Sequence, residues 1–417
     1  MSQKTEKPVL SGQRIKTRKR DEKEKLDVNG FRDQLLQGLI EAGTDLEALS
    51  KFLDGAGGTK LDYRRYGETL FDVLIAGGIL GPNGVTPAEG DKLAPASVFA
   101  TENTIDALRL QEQVFLKLTR RFKYLEKLFQ EQIKKVFTYM KRYSDEDRIK
   151  LARMTALWIC NGSLPPTCLA LVGQEHLVKD NVALDFILEV FTTWKQEKGV
   201  SNVVSGLKKS GLESKMMEFF PSNKRTPEYF NSVFQERNLA EIVRLQKNQA
   251  SQEMKLNLHK VVSDALDEGK AAKDIIAEVK DYSTKNNLPE HEIVTIVWGT
   301  LMAAVEWNKK EELVAEQALK HIKNYASFLG AFSTTPKAEL TLILRIQEFC
   351  YDNMNFMKVF QKIILLLYKN DVLSEDSIMK WYKEAHSSKG KSVFLEQMKK
   401  FIEWLQSAEE ESESDSD

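Results

Sequence analysis

The sequence predicts an all-α protein, and three of its features lead to that prediction. Apolar residues recur every three to four positions along most of the chain, which is the spacing of one helix face. Alternation with a period of two, which would indicate half-buried strands, is nearly absent. The ten prolines among 417 residues fall between the periodic segments, outside the interiors where a proline would break a helix.

Residues 1–27 form a basic and polar first segment, in which RIKTRKR at 14–20 holds five basic side chains. The segment has no apolar run of the kind found in a secretory signal. It is too polar and charged to build a core, so we expect a disordered basic tail. Binding to RNA phosphates, a nuclear address and a plain solvated tail all fit this composition.

Residues 28–245 are predicted to form a helical-repeat domain. Their helical segments are about ten to twenty residues long, and short joints such as LPP at 164–166 and FPSNKRTP at 220–227 separate them. Paired helices without strands are typical of a HEAT-like α-solenoid. A four-helix bundle in each domain is the alternative, because no strict sequence period is visible.

One irregular segment interrupts this domain. Residues 81–103 carry three prolines and three glycines, and we expect them to form an exposed, mobile loop. A domain boundary is predicted near 245, where the polar run RLQKNQASQEMK at 244–255 joins two periodic regions.

Composition excludes several classes of protein. Lys and Arg number 60 and Asp and Glu 61, so the chain as a whole is electrically balanced, although its two ends carry opposite charge. The three cysteines include no CxxC pair, which is typical of a reducing compartment. The longest uncharged apolar run, 293–305, is shorter than the roughly 20 residues of a membrane span. We expect a cytoplasmic protein.

The catalytic motifs that the chain approaches are all incomplete. His291 and Glu292 begin a HExxH zinc motif, but Thr295 occupies the second ligand position. GAGGTK at 55–60 has the wrong order for a phosphate-binding loop, and we interpret it as a glycine turn that ends a helix. We therefore expect no enzyme, no cofactor and no metal site.

A leucine zipper is also a poor fit. Leu39, Leu46 and Leu53 follow the basic tail at seven-residue spacing, but Lys60 takes the next heptad position. The apolar stripe around Leu39 is too wide for a coiled-coil seam and fits a globular helix face. A DNA-binding regulator that acts through the basic N-terminus remains the alternative function.

The last third of the chain contains two segments that combine acids with tryptophan. In NDVLSEDSIMKWY at 370–382, Asp371 begins an acidic turn and Ser374 can cap a new helix. Glu375 and Asp376 follow in the first turn, where negative charge suits the helix dipole. Trp381 then returns to the core.

In FIEWLQSAEEE at 401–411, Trp404 and Leu405 are predicted to pack inward. Glu403 faces outward, as do the acids Glu409, Glu410 and Glu411. Pure core packing of both tryptophans is the alternative to a binding role.

These two segments resemble the acidic–aromatic boxes of the W2 domain, which ends translation initiation factor 5 and the epsilon subunit of initiation factor 2B. The zinc-ribbon and nucleotidyltransferase regions of those proteins have no counterpart here. KPVLSGQRIKTRKRDEKEK and LDYRRYGETLFDVLIAGG resemble the start of the basic leucine zipper and W2 domain-containing proteins, also called mimics of initiation factor 5. The resemblance implies a W2 domain over 246–407, with box two extending to about 414, and an acidic tail at 408–417.

The resemblance also implies a function. It predicts a non-catalytic regulator that competes with initiation factor 5 for the lysine boxes of the initiation factor 2 beta subunit and for initiation factor 3 in the preinitiation complex. Start-codon selection would become stricter and non-AUG initiation rarer. The expected partner-binding acids are Asp371, Glu375, Asp376, Glu403, Glu409, Glu410 and Glu411, and the expected anchors are Trp381, Trp404 and Leu405.

Ser412 and Ser414 each precede an acid by three residues, so we expect possible phosphorylation sites there. A monomer is expected. Nucleotide exchange, as in the epsilon subunit, is a further alternative.

Overall fold

The computed structural model describes residues 27–81, 84–85 and 93–414, with the side chains of 311, 385 and 408–414 outside that description. The basic tail predicted over 1–27 therefore lies almost wholly outside the described residues. The described chain divides into two compact units between Lys247 and Asn248. This division falls within one helix, α11 (Ala240–Asp267).

Helices dominate the first unit, and one two-stranded antiparallel hairpin accompanies them. The hairpin joins β1 (Leu80–Gly81) to β2 (Gly84–Val85). The helices before α11 are α1 (Val28–Ala42), α2 (Leu46–Thr59), α3 (Tyr63–Ala76), α4 (Ile105–Arg121), α5 (Tyr124–Thr138), α6 (Asp145–Cys160), α7 (Glu175–Val178), α8 (Val182–Lys198), α9 (Val200–Ser210) and α10 (Pro227–Glu236). Turns of 3-10 helix cover Met140–Arg142, Pro166–Val172, Leu212–Phe219 and Ser222–Lys224.

The helices of this unit stack in two layers. Helices α2, α4, α6 and α8 pack one after another in the first layer, and α1, α3 and α5 do so in the second. The 3-10 segment Pro166–Val172 takes the place after α5 in the second layer. Each helix thus contacts the next but one along the chain, which is the packing of an α-solenoid. The predicted HEAT-like fold is confirmed, and the alternative of a bundle is wrong for this unit.

The leucines at heptad spacing lie on two different helices. α1 ends at Ala42, where Gly43 adopts a φ of 68°, and α2 begins at Leu46. Leu39 and Leu53 are both buried in the core of the first unit. No continuous coil therefore carries the zipper pattern.

The prediction that a glycine turn ends the helix before residue 60 is wrong. Helix α2 continues through Gly55, Gly57 and Gly58 to Thr59. A Cβ atom on Gly57 would lie 2.2 Å from Cε2 of Tyr63. The absence of a side chain at Gly57 therefore permits the close approach of the Tyr63 ring.

The prediction of an exposed loop over 81–103 is wrong for its last part. Ala94, Ala96, Val98 and Phe99 are buried, and the backbone N–H groups of Val98 and Phe99 donate to carbonyls of α3. The side chains of Val98 and Phe99 thus fill space beside α3, and the prolines and glycines upstream did not reveal this. Residues 82–83 and 86–92 lie outside the described residues.

The second unit is also helical. Its helices after α11 are α12 (Ala272–Asn286), α13 (Glu290–Ala303), α14 (Glu311–Asn324), α15 (Ala326–Gly330), α16 (Pro336–Asp352), α17 (Phe360–Lys369), α18 (Glu375–Lys380) and α19 (Lys391–Ser414), with a 3-10 turn at Met354–Phe356 and a π-helical turn at Trp381–Ala385. Helices α13, α16 and α18 pack in succession, and so do α14, α17 and α19. The second unit therefore repeats the layered arrangement of the first.

Candidate partner-binding surface of the second unit

The first acidic–aromatic segment folds as a tight turn between α17 and α18. Asp371 adopts a φ of 55°, a left-handed conformation that Asp tolerates better than most residues. The Oγ of Ser374 accepts a hydrogen bond from the backbone N–H of Ser377 at 3.4 Å. Ser374 thus caps α18 as predicted.

The acids of this turn differ in exposure. Asp371 and Asp376 are exposed, whereas Glu375 is half-buried. A further acid, Glu339 of α16, accepts a hydrogen bond from the backbone N–H of Ser374 at 2.6 Å. Glu339 stands 35 positions earlier in the sequence, and no local pattern could have linked it to the turn.

Trp381 is a fully buried anchor, as predicted. Its Nε1–H donates to Oε1 of Gln347 at 2.9 Å, and its ring lies 5.2 Å from that of Phe360. Nε2 of Gln347 in turn donates to the carbonyls of Ser387 and Lys389 at 3.0 and 2.8 Å. A buried glutamine on the apolar face of α16 is the signal that could have revealed this network.

The second segment lies on α19, and it corrects one predicted anchor. Leu405 is buried, as predicted, but Trp404 is 54% exposed. The buried face of α19 follows Phe394, Met398 and Phe401 to Leu405 at helical spacing. Trp404 precedes Leu405 by one residue, about 100° around the helix, so it falls at the edge of that face. The prediction that Trp404 packs inward is wrong.

Trp404 instead belongs to a row of three aromatic rings, which we call the aromatic ladder: Tyr368, Phe401 and Trp404. The Trp404 ring stacks on Phe401 with centroids 5.8 Å apart and an interplanar angle of 14°. Phe401 meets the half-buried Tyr368 edge-on at 5.5 Å. Tyr368 stands three residues before Asp371, so the ladder connects the two segments.

In the sequence, acids stand close to the residues at both ends of the ladder. Asp371 follows Tyr368 on one side, and the exposed Glu403 adjoins Trp404 on the other. The backbone of α19 continues through Glu409, Glu410 and Glu411 to Ser414. The side chains of those acids, of Ser412 and of Ser414 lie outside the described residues, so their predicted roles stay predictions. An exposed tryptophan face beside carboxylates suits long cationic side chains.

Among the described residues, no group of three or more His, Cys, Asp or Glu side chains could hold a metal ion. The thiols of Cys160 and Cys168 are unpaired, and burial raises their pKa to about 11 and about 12. None of the described helices combines the length and apolarity needed to cross a membrane.

Comparison with known proteins places the whole chain in one family. A family model described as the 5MP1/2 HEAT domain matches residues 15–256. The W2 model, described as eIF4-gamma/eIF5/eIF2-epsilon, matches residues 338–415. The chain belongs to the eIF5-mimic family. The resemblance stated from the sequence is thereby confirmed.

Several relatives match along almost their whole length. Protein krasavietz of Drosophila melanogaster is 58% identical over 416 residues, which cover 100% of this chain and 98% of the relative. The eIF5-mimic protein 2 of Homo sapiens is 50% identical over 416 residues, covering 100% and 99%. The eIF5-mimic protein 1 of Danio rerio is 50% identical over 414 residues, covering 99% and 98%.

Proposed function

We propose that this eIF5-mimic family member is a non-catalytic regulator of translation initiation that competes with initiation factor 5. It would bind the lysine boxes of the initiation factor 2 beta subunit and also initiation factor 3, within the cytoplasmic preinitiation complex. HEAT and W2 domains are of regulatory kinds, which supports a role in binding. The observation that carries the proposal is the exposed Trp404 on the aromatic ladder, whose two end residues have acids close to them in the sequence.

The chemistry of the ladder fits a lysine-rich segment. A lysine ammonium over the exposed tryptophan face would gain a cation–π interaction. Its aliphatic stem can lie along the exposed part of Trp404 and the half-buried Tyr368 while the charge stays near Glu403 or Asp371. The acidic end of α19 would attract such a segment from a distance, so association should be fast and sensitive to salt.

The proposed competition with initiation factor 5 requires that binding to the lysine boxes does not itself activate GTP hydrolysis. A protein that occupies the same lysine boxes without activating GTP hydrolysis would reduce the amount of initiation factor 5 in the complex. Stricter start-codon selection and less non-AUG initiation are the expected outcomes. Phosphorylation of Ser412 and Ser414 would add about −1.5 to −2 charges per site and strengthen binding.

Calorimetry of the full chain against the lysine-rich segment of the beta subunit, at two salt concentrations, tests this function. We expect salt-sensitive binding that the C-terminal domain of initiation factor 5 displaces. A Glu409/Glu410/Glu411→Gln variant should bind more weakly. The matched control is Glu218/Glu228/Glu236→Gln, which removes three exposed acids from the first unit.

Two results would contradict the proposal. If the full chain does not bind the lysine-rich segment, the ladder does not serve this partner. If binding is observed but initiation factor 5 does not compete, the two proteins use different surfaces and the mimic mechanism fails.

A further inference from the structure

Two segments of the first unit combine basic and aromatic residues, and they lie side by side. They are YRRY at 63–66, where α3 begins, and RRFKY at 120–124, where α4 meets α5. The rings of Tyr63 and Phe122 meet edge-on with centroids 5.5 Å apart. The Arg64 guanidinium lies 4.5 Å from the centroid of the Tyr124 ring. We call the resulting surface the Arg–Tyr corner.

Carboxylates neutralise only part of the positive charge of the corner, where the Nε of Arg121 pairs with Asp54 at 2.6 Å. In the described part of the chain, no carboxylate lies within ion-pair distance of the exposed Lys60, Arg64 or Arg120. Lys123 has only a long contact, 3.5 Å, between its Nζ and the carboxylate of Glu126. Exposed pairs of that kind contribute little, so Lys123 can readily turn to another anion.

A cavity of about 160 Å³ opens between two of these cations, Arg120 and Lys123, and the turn after α6. Arg120 and Lys123 line one side of it, and Gly162 and Ser163 line the other. Gly162 has a φ of 83° and no atom within 4 Å of the position of a Cβ, so this side of the cavity is open. Glu126 also lines the cavity, and an entering anion would have to displace its contact with Lys123.

We propose that the Arg–Tyr corner is an RNA-binding surface, with Arg120 and Lys123 holding a backbone phosphate at the cavity. Arg64, oriented by the ring of Tyr124, would contact the next phosphate or stack on an unpaired base. Planar guanidinium groups beside half-exposed rings suit RNA, in which bases stack and phosphates accept paired hydrogen bonds. An acidic peptide would use the charge but not the stacking faces. This surface lies in the first unit and is independent of the proposed function of the second.

Fluorescence anisotropy of the full chain with a labelled oligouridylate, over a series of salt concentrations, tests the proposal. The Arg64/Arg120/Lys123→Gln variant should bind about tenfold or more weakly. Its salt slope should fall by about 1.4, because two phosphate contacts are lost and each contributes about 0.7 to the slope. The control Lys208/Lys209/Lys215→Gln removes the same charge from other exposed positions of the first unit and keeps the basic tail. It should bind like the parent chain.

A Tyr124→Leu variant tests the stacking face separately. It should weaken RNA binding severalfold and leave binding to polyglutamate unchanged. Equal losses in the triple variant and its control would overturn the proposal, since overall charge would then explain binding. Unchanged binding in a folded triple variant would overturn it too. So would a parent chain that binds polyglutamate but does not bind the oligouridylate.

Discussion

Trp404→Ala is the substitution that most directly separates a surface contact from a core anchor. A tryptophan side chain buries at most about 250 Å², and Trp404 is 54% exposed, so the substitution removes roughly 100 Å² of buried surface. At ~25 cal/mol per Å² this is about 2.5 kcal/mol. That figure is an upper bound, because the unfolded chain also buries part of this surface, and we expect about 1–2 kcal/mol.

Trp381→Ala provides the contrast. Trp381 is fully buried, and truncation of such a ring costs about 3–5 kcal/mol. The lost hydrogen bond to Gln347 adds only about 0.5–1.5 kcal/mol, because the Gln347 Oε1 still accepts from the backbone N–H of Ser387 at 3.1 Å. Differential scanning calorimetry should therefore show a drop of a few degrees in the unfolding temperature of the second unit for Trp404→Ala, and a far larger drop for Trp381→Ala.

Binding completes the test. The folded Trp404→Ala variant should bind the lysine-rich segment about tenfold or more weakly, as expected for a tryptophan at the centre of an interface. Tyr351→Ala removes another exposed aromatic of the second unit and should leave binding unchanged. If Trp404→Ala were as unstable as Trp381→Ala, or if it stayed folded with undiminished binding, the role of the aromatic ladder would be refuted.

Three further predictions concern stability and reactivity. Lys135→Met should destabilise the first unit by about 3–5 kcal/mol in urea unfolding at pH 7, because Asp72 is buried 2.6 Å from the Lys135 Nζ. Burial already raises the Asp72 pKa, so acidification should protonate Asp72 and relieve the loss of stability. A double variant that also carries Asp72→Asn should recover most of that loss. Burial lowers the pKa of His321, so on acidification the unfolded chain takes up a proton at this histidine at a higher pH than the folded chain does. The second unit should therefore lose stability as pH falls below about 6.5. A His321→Gln variant with the same pH dependence of stability would contradict this. Because burial raises the pKa of Cys168 to about 12, its thiol should react with a disulfide reagent at pH 8 only after denaturation, and rapid labelling of the native chain would show the burial to be incorrect.

Local patterns predicted the helices and the turn before α18 well. Ser374 caps α18 and Trp381 returns to the core because both features depend on neighbours within a few residues. Periodicity also separated α1 from a zipper, since Leu39 belongs to a wide apolar face. The irregular composition of 81–103 led to the wrong prediction of an exposed loop at its end, because the buried Val98 and Phe99 follow its prolines and glycines.

The sequence by itself determined the all-α class, the family and the positions of both acidic–aromatic segments, because helical periodicity and residue type are local properties. Only the tertiary structure decided which tryptophan anchors and which one is exposed. Trp381 finds a buried hydrogen-bond partner in Gln347 on another helix, whereas Trp404 lies at the edge of the α19 face that packs inward. That difference depends on contacts between helices distant in sequence, and local spacing cannot reveal such contacts.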